Sequence, residues 1–105
     1  MRLTDEQRHA IAQTARDVFA PGTTVLLFGS RANDHQRGGD IDLLIETPEP
    51  MTPAELVDHR TRFVSRLYRL LEEQRIDAVI TARNQADSRP IVANAKRTGV
   101  LLAQL

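Results

Sequence analysis

Two short segments hold the residues best placed to do chemistry: Leu27-Phe28-Gly29-Ser30-Arg31-Ala32, and Gly39-Asp40-Ile41-Asp42-Leu43-Leu44-Ile45. Residues i and i+2 of a strand share a face. Asp40 and Asp42 therefore present two carboxylates side by side, while Ile41, Leu43 and Ile45 bury the opposite face. Like charges this close raise each other's pKa unless a cation sits between them. Hard oxygen donors on a rigid strand suit Mg²⁺, which is typically held by one or two carboxylates plus substrate phosphates. Gly29-Ser30 ends an apolar strand and is expected to open a helical turn. Free backbone N–H groups there favour an anion, glycine lets a phosphate approach the chain closely, and Ser30 adds a hydroxyl donor. The third piece is Asp77, within Ile76-Asp77-Ala78-Val79-Ile80. A lone carboxylate in an apolar strand is costly unless paired or liganded. If that strand lies beside the one carrying Asp40 and Asp42, three carboxylates converge. This is the arrangement for two-metal phosphoryl or nucleotidyl transfer, in which one metal activates a hydroxyl and the other neutralises the leaving pyrophosphate. Each signal has a plainer explanation when taken singly: D-x-D pairs are commonly solvated strand ends, and Asp77 has Arg75 and Arg83 nearby as ion-pair partners. The joint order and strand context favour the site.

The elements that must position these groups are legible from spacing. Thr4 and Gln7 form a capping box, with Asp5 and Glu6 well placed for the helix dipole. Ile11, Ala15, Val18 and Phe19 then recur at helical spacing until Pro21-Gly22. Val25-Leu26-Leu27-Phe28 reads as a strand buried on both faces. Ile41 to Ile45 alternates as a second strand, ended by Pro48 and Pro50. Thr52-Pro53-Ala54-Glu55 is another capping box with proline at the first helical position. Its helix is expected to bury Leu56, Phe63, Leu67, Leu70 and Leu71. A third strand spans Ile76 to Thr81, and a shorter helix Ser88 to Arg97 with Gly99 as its C′ residue. Val100-Leu101-Leu102 forms a last short strand. The order α-β-β-α-β-α-β predicts an α/β (α+β) domain: a small mixed sheet with helices mainly on one face.

The chain has 105 residues, and its 14 Lys+Arg balance 14 Asp+Glu for a net charge of zero. One domain over residues 1–105 is expected, as chains of ~100–150 residues usually form one. The balance argues against bulk attraction to nucleic acid, which needs excess positive charge. The absence of cysteine excludes a disulfide scaffold, a thiolate zinc site and a cysteine nucleophile. No apolar run approaches the ~20 residues of a membrane helix. Met1-Arg2-Leu3-Thr4 runs straight into a helix start, so no signal peptide is expected and the cytoplasm is the expected compartment. Phe19, Phe28, Phe63 and Tyr68 are the only aromatics and offer no stacking platform for single-stranded nucleic acid. Acceptor recognition is therefore expected to come from a partner, or the acceptor to be small, with the partner preferred. His9, His35 and His59 share no metal-ligand spacing, and His35 reads as solvated. Arg62, Arg66 and Arg69 form one stripe read as a solvated helix face, and the helix dipole accounts for Lys96 and Arg97.

The run Phe28-Gly29-Ser30-Arg31-Ala32, a loop, then Asp40-Ile41-Asp42-Leu43-Leu44-Ile45 resembles the signature of the DNA polymerase β-like nucleotidyltransferase superfamily. The compact chain is similar to the minimal nucleotidyltransferases of prokaryotes, often antitoxins paired with a helical HEPN-domain toxin. The resemblance implies the polymerase β-like palm fold, with Gly29 and Ser30 on the triphosphate and Asp40 and Asp42 binding two Mg²⁺. It implies that Asp77 ligands the catalytic metal and helps deprotonate the attacking hydroxyl. Arg31 matches a common arginine of the motif, placed with the nucleotide-binding residues and expected to form an ion pair that fixes the loop. The implied reaction is Mg²⁺-dependent transfer of a nucleoside monophosphate, AMP from ATP, to a hydroxyl of a HEPN toxin. The alternatives are a non-catalytic antitoxin that acts by binding, or transfer to a small-molecule hydroxyl. The chain departs from the pattern at Asn33-Asp34, where Arg-Gly is common, and at Gly39, where serine commonly precedes the first aspartate. Asp34 is an ordinary turn residue or an added acid at the site mouth.

Overall fold

The computed structural model describes residues 2–32, 39–72 and 74–105. Asn33, Asp34 and His35 lie outside the described residues. The first helix, α1 (Asp5–Val18), starts as its capping box requires: Thr4 accepts from the Gln7 amide, and the Gln7 side chain accepts from the Thr4 amide. It leads into β1 (Thr24–Phe28), a single 3₁₀ turn over Gly29–Ala32, and β2 (Ile41–Thr47). Helix α2 (Pro53–Leu70) is capped reciprocally by Thr52 and Glu55, with Pro53 in its first turn where no N–H is needed. Strand β3 (Ile76–Ala82), helix α3 (Pro90–Thr98) and strand β4 (Val100–Gln104) complete the order.

The strands form one mixed sheet in the order β3-β2-β1-β4. β1 is antiparallel to β2 and β4, and β2 is parallel to β3. The α2 crossover makes the parallel pairing possible. On one face Ile41, Leu43, Ile45, Ala78 and Ile80 join Ile11, Ala15, Phe63 and Leu67 from α1 and α2 in the main core. On the other, Phe28 and Leu44 pack with Val92 and Ala95 of α3 in a smaller one. Helices thus lie two on one face and one on the other. The alternation of β2 sends Asp42, Leu44 and Glu46 to the α3 face.

Three details differ from the sequence reading. Leu70 is 58% exposed, because α2 turns its last residues away and Leu71, beyond the helix, fills the core instead. The third helix starts at Pro90, after an Asp87–Arg89 bracket, rather than at Ser88. Gly99 caps α3 at φ −72°, an ordinary value. Glycine is needed there for space, since a Cβ would strike the Ala95 carbonyl and crowd Leu26.

Candidate active site

Asp42 lies at the centre of the candidate site. In the sheet register it neighbours Phe28 on β1 and Asp77 on β3. Registered residues on adjacent strands, about 4.8 Å apart, share a face. The carboxylates of Asp42 and Asp77 therefore project from the same side, the one on which α3 packs with Phe28 and Leu44 and, less buried, Leu26 and Val79. Asp40 sits exposed just before β2, two residues from Asp42 and so on the same side. The sequence expectation that the Asp77 strand lies beside the D-x-D strand holds residue for residue.

Gly29 follows β1 directly with φ +74°, a left-handed conformation that favours glycine. A Cβ there would fall against the Asp42 carboxylate, nearest Oδ2. The backbone of the Gly-Ser turn thus packs directly on the central acid. The Ser30 backbone continues the 3₁₀ turn. Among the described residues, the partners of Arg31 are neutral acceptors. Its Nη1 donates to Arg2 O (3.0 Å), and its Nη2 to Gly39 O (3.1 Å) and Gln74 Oε1 (3.2 Å). Gln74 Nε2 also donates to Gly39 O. Two side chains thereby grip the residue before Asp40, and the Ile41 amide donates to Arg75 O (3.0 Å) to start the parallel ladder.

Burial, followed by the charges of Asp77 and Asp40, raises the Asp42 carboxyl above its ordinary value, while Arg75 opposes. The outer two acids are met by arginines at long range: Arg60 Nη2 is 3.8 Å from Asp77 Oδ1, and Arg75 Nε is 3.8 Å from Asp40 Oδ2. Asp77 is thus paired with Arg60 rather than with Arg75 or Arg83, and Arg83 pairs with Glu46 instead (3.3 Å). Among the described residues no three acidic or imidazole groups are gathered tightly enough to grip an ion. The donor set nonetheless fits a hard divalent cation: three carboxylates at one end of the sheet, the central one destabilised by the other two. Asp40, Asp42 and Asp77 are the residues that would hold Mg²⁺.

Sequence reasoning missed Arg60 and Gln74. Neither carries a local signal, because each meets the site only through packing of residues distant in the chain. Within the arginine stripe, Arg62 pairs with Asp58 (3.1 Å) and Arg66 with Asp17 (3.0 Å). Lys96 reaches Glu46 (3.2 Å), tying α3 to β2. His59 stacks on Phe19 and lies 3.8 Å from Asp58.

The sequence profile of the nucleotidyltransferase domain matches residues 10–93. No curated protein matches the chain. Among solved structures, one like it is an aspartate-to-glutamate double mutant of the toxin–antitoxin MntA-HpeT (TM-score 0.64, 18% identity, 93% of this chain and 73% of that one). Another is a toxin–antitoxin with AMP-PNP (0.65, 19%, 93% and 73%). A third is the tri-AMPylated HEPN toxin of Shewanella oneidensis in complex with MNT antitoxin (0.61, 18%, 94% and 71%). At these identities the likeness is one of fold.

Proposed function

Because the chain belongs to the nucleotidyltransferase domain family, we propose that it is a Mg²⁺-dependent enzyme that transfers AMP from ATP to a hydroxyl on a partner protein, with a HEPN toxin as the partner and the chain as its antitoxin. The observation that carries the reading is the register of Asp42 with Asp77, with Gly29 packed against the Asp42 carboxylate. The neighbours of like fold include a toxin–antitoxin with AMP-PNP and an AMPylated HEPN toxin with its antitoxin. They support the nucleotide and the partner. Residues 1–105 act as a single catalytic domain, and the cytoplasm, where ATP is abundant, is its compartment. No helix among the described residues is long and apolar enough to cross a membrane.

In this reading the turn amides at Gly29 and Ser30 bind the triphosphate beside the Asp42 carboxylate, which takes the space a Gly29 side chain would fill. Arg31 acts as a positioning residue, holding Gly39 and hence Asp40. Asp40, Asp42 and Asp77 would hold Mg²⁺, with Asp77 on the acceptor side at the open edge of the sheet. Bound Mg²⁺ neutralises phosphate charge and lowers the pKa of the attacking hydroxyl. The acceptor oxygen attacks the α-phosphorus, and the new P–O bond forms as the α–β phosphoanhydride bond breaks. The hydroxyl proton goes to the Asp77 carboxylate, and pyrophosphate leaves.

The test is incubation of purified protein and source-cell lysate with α-phosphate-labelled ATP and Mg²⁺, beside Asp42→Asn. Label on one protein band, absent with the variant, is the expected result and delivers the partner. Label on RNA would redirect the reading to a nucleic-acid acceptor. No label with any of the four nucleotides would favour an antitoxin that acts by binding alone.

A further inference from the structure

We propose that Arg60 is a tethered rival of the metal at Asp77, a positioning residue that holds the third carboxylate at the sheet edge until a divalent cation displaces it. This rests on Asp77 being a metal ligand, as read above. Exposed ion pairs usually contribute little because two long side chains must be held in one geometry. Arg60 is already held. Its Nε donates to Ala78 O at 2.9 Å, fixing the guanidinium on the outer edge of β3. That carbonyl faces outward because alternate carbonyls of the strand point to opposite sides, and Arg75 O, three residues earlier, accepts from β2. Arg60 thus reaches round the open edge, from a helix on one face of the sheet to an acid on the other.

The neighbouring Arg89 shows what a committed edge arginine looks like. Its Nη2 donates to Ile80 O at 2.8 Å, and its charge is met by Asp87 at 2.7 Å. Arg60 meets Asp77 only at 3.8 Å, beyond a direct hydrogen bond, so the contact is electrostatic and exchangeable. It borders an open groove of about 390 Å³ lined by Val57, Thr61 and Val79, through which ions have access. Arg75, which sits at the same distance from Asp40, is 80% exposed and has no hydrogen bond from its side chain among the described residues. Its charge is therefore more fully screened than that of Arg60.

The experiment is a Mn²⁺ titration of the purified full chain, read by the EPR signal of free Mn²⁺, with melting curves taken in parallel. Arg60→Met and Arg60→Gln are each expected to bind Mn²⁺ about two- to fivefold more tightly than the wild type, the range of one partly exposed ion pair. Arg75→Met should change affinity less than about twofold by the same scale. In an Asp77→Asn background the Arg60 effect should vanish, because nothing remains to compete for. Loss of the edge cap alone would lower the melting temperature without changing Mn²⁺ affinity, and that result would overturn the proposal. So would tightening that persists undiminished with Asp77→Asn. Mn²⁺ affinity indifferent to both Asp42→Asn and Asp77→Asn would instead overturn the metal site itself, and the rivalry with it.

Discussion

Substituting Gly29 by alanine separates two things that the glycine does. Its φ of +74° is unfavourable for a residue with a Cβ, at a cost of about 1–2 kcal/mol. Its missing Cβ also leaves the space taken by the Asp42 carboxylate. Gly22 provides the control, since its φ is +94° but a Cβ there would meet only Pro48, at an ordinary 3.5 Å. Gly22→Ala should therefore lose roughly 4–10 °C in melting temperature, the backbone cost alone, with transfer activity unchanged. Gly29→Ala should lose at least as much stability and also push the Asp42 carboxylate aside. A displacement of about 1 Å at a reacting centre can cost on the order of 100-fold in rate. The measurements are thermal melts, label transfer from α-labelled ATP and Mn²⁺ affinity on both variants. Gly29→Ala with wild-type transfer and Mn²⁺ affinity, whatever its stability, would refute the claim that the turn is glycine to make room for the acid.

Two further outcomes are expected. Burial and the charges of Asp77 and Asp40 raise the folded pKa of Asp42 above its value of 3.8 in an unfolded chain. Its contribution then favours folding at low pH and is lost as pH rises through the folded pKa. In metal-free buffer Asp42→Asn should therefore melt above the wild type at pH 7, with the gap closing toward pH 4; equal melting temperatures at pH 7 would contradict an unfavourable, partly buried charge at Asp42. Gly99→Ala should destabilise the chain by about 1–3 kcal/mol in denaturant titrations through overpacking. No backbone strain is involved at its φ of −72°, so a neutral result would mean that α3 can shift away from Leu26.

Local chemistry made most of the elements legible. The Thr4/Gln7 and Thr52/Glu55 boxes start their helices where the side chains can reach orphan amides, a matter of three residues. The period of two from Ile41 to Ile45 placed the core on one side and Asp42 on the other. It could not reveal that α3 would come to rest on the second side, over Leu44. Leu70 follows the helical stripe yet stays exposed, because periodicity tells which residues share a face but not how far the neighbouring layer extends.

The same division runs through the site. The residue types at Gly29, Asp40, Asp42 and Asp77 pointed to metal-ion phosphoryl chemistry, the reading proposed above, because hard carboxylates beside a glycine turn suit that task. The arginine partners were another matter. Arg75 and Arg83 stand nearest Asp77 among the arginines in sequence, yet Arg60, 17 positions earlier, is the one that meets it. Arg31 holds two carbonyls and Gln74 among the described residues. Ion pairs and hydrogen bonds are satisfied in space, and the competition among 13 arginines for the available acceptors is decided only when helix and sheet pack. By itself the sequence determined the residue types and elements from which the chemistry is proposed; the tertiary structure alone decided which arginines stand beside its acids, because short-range electrostatics depends on distances that chain position does not encode.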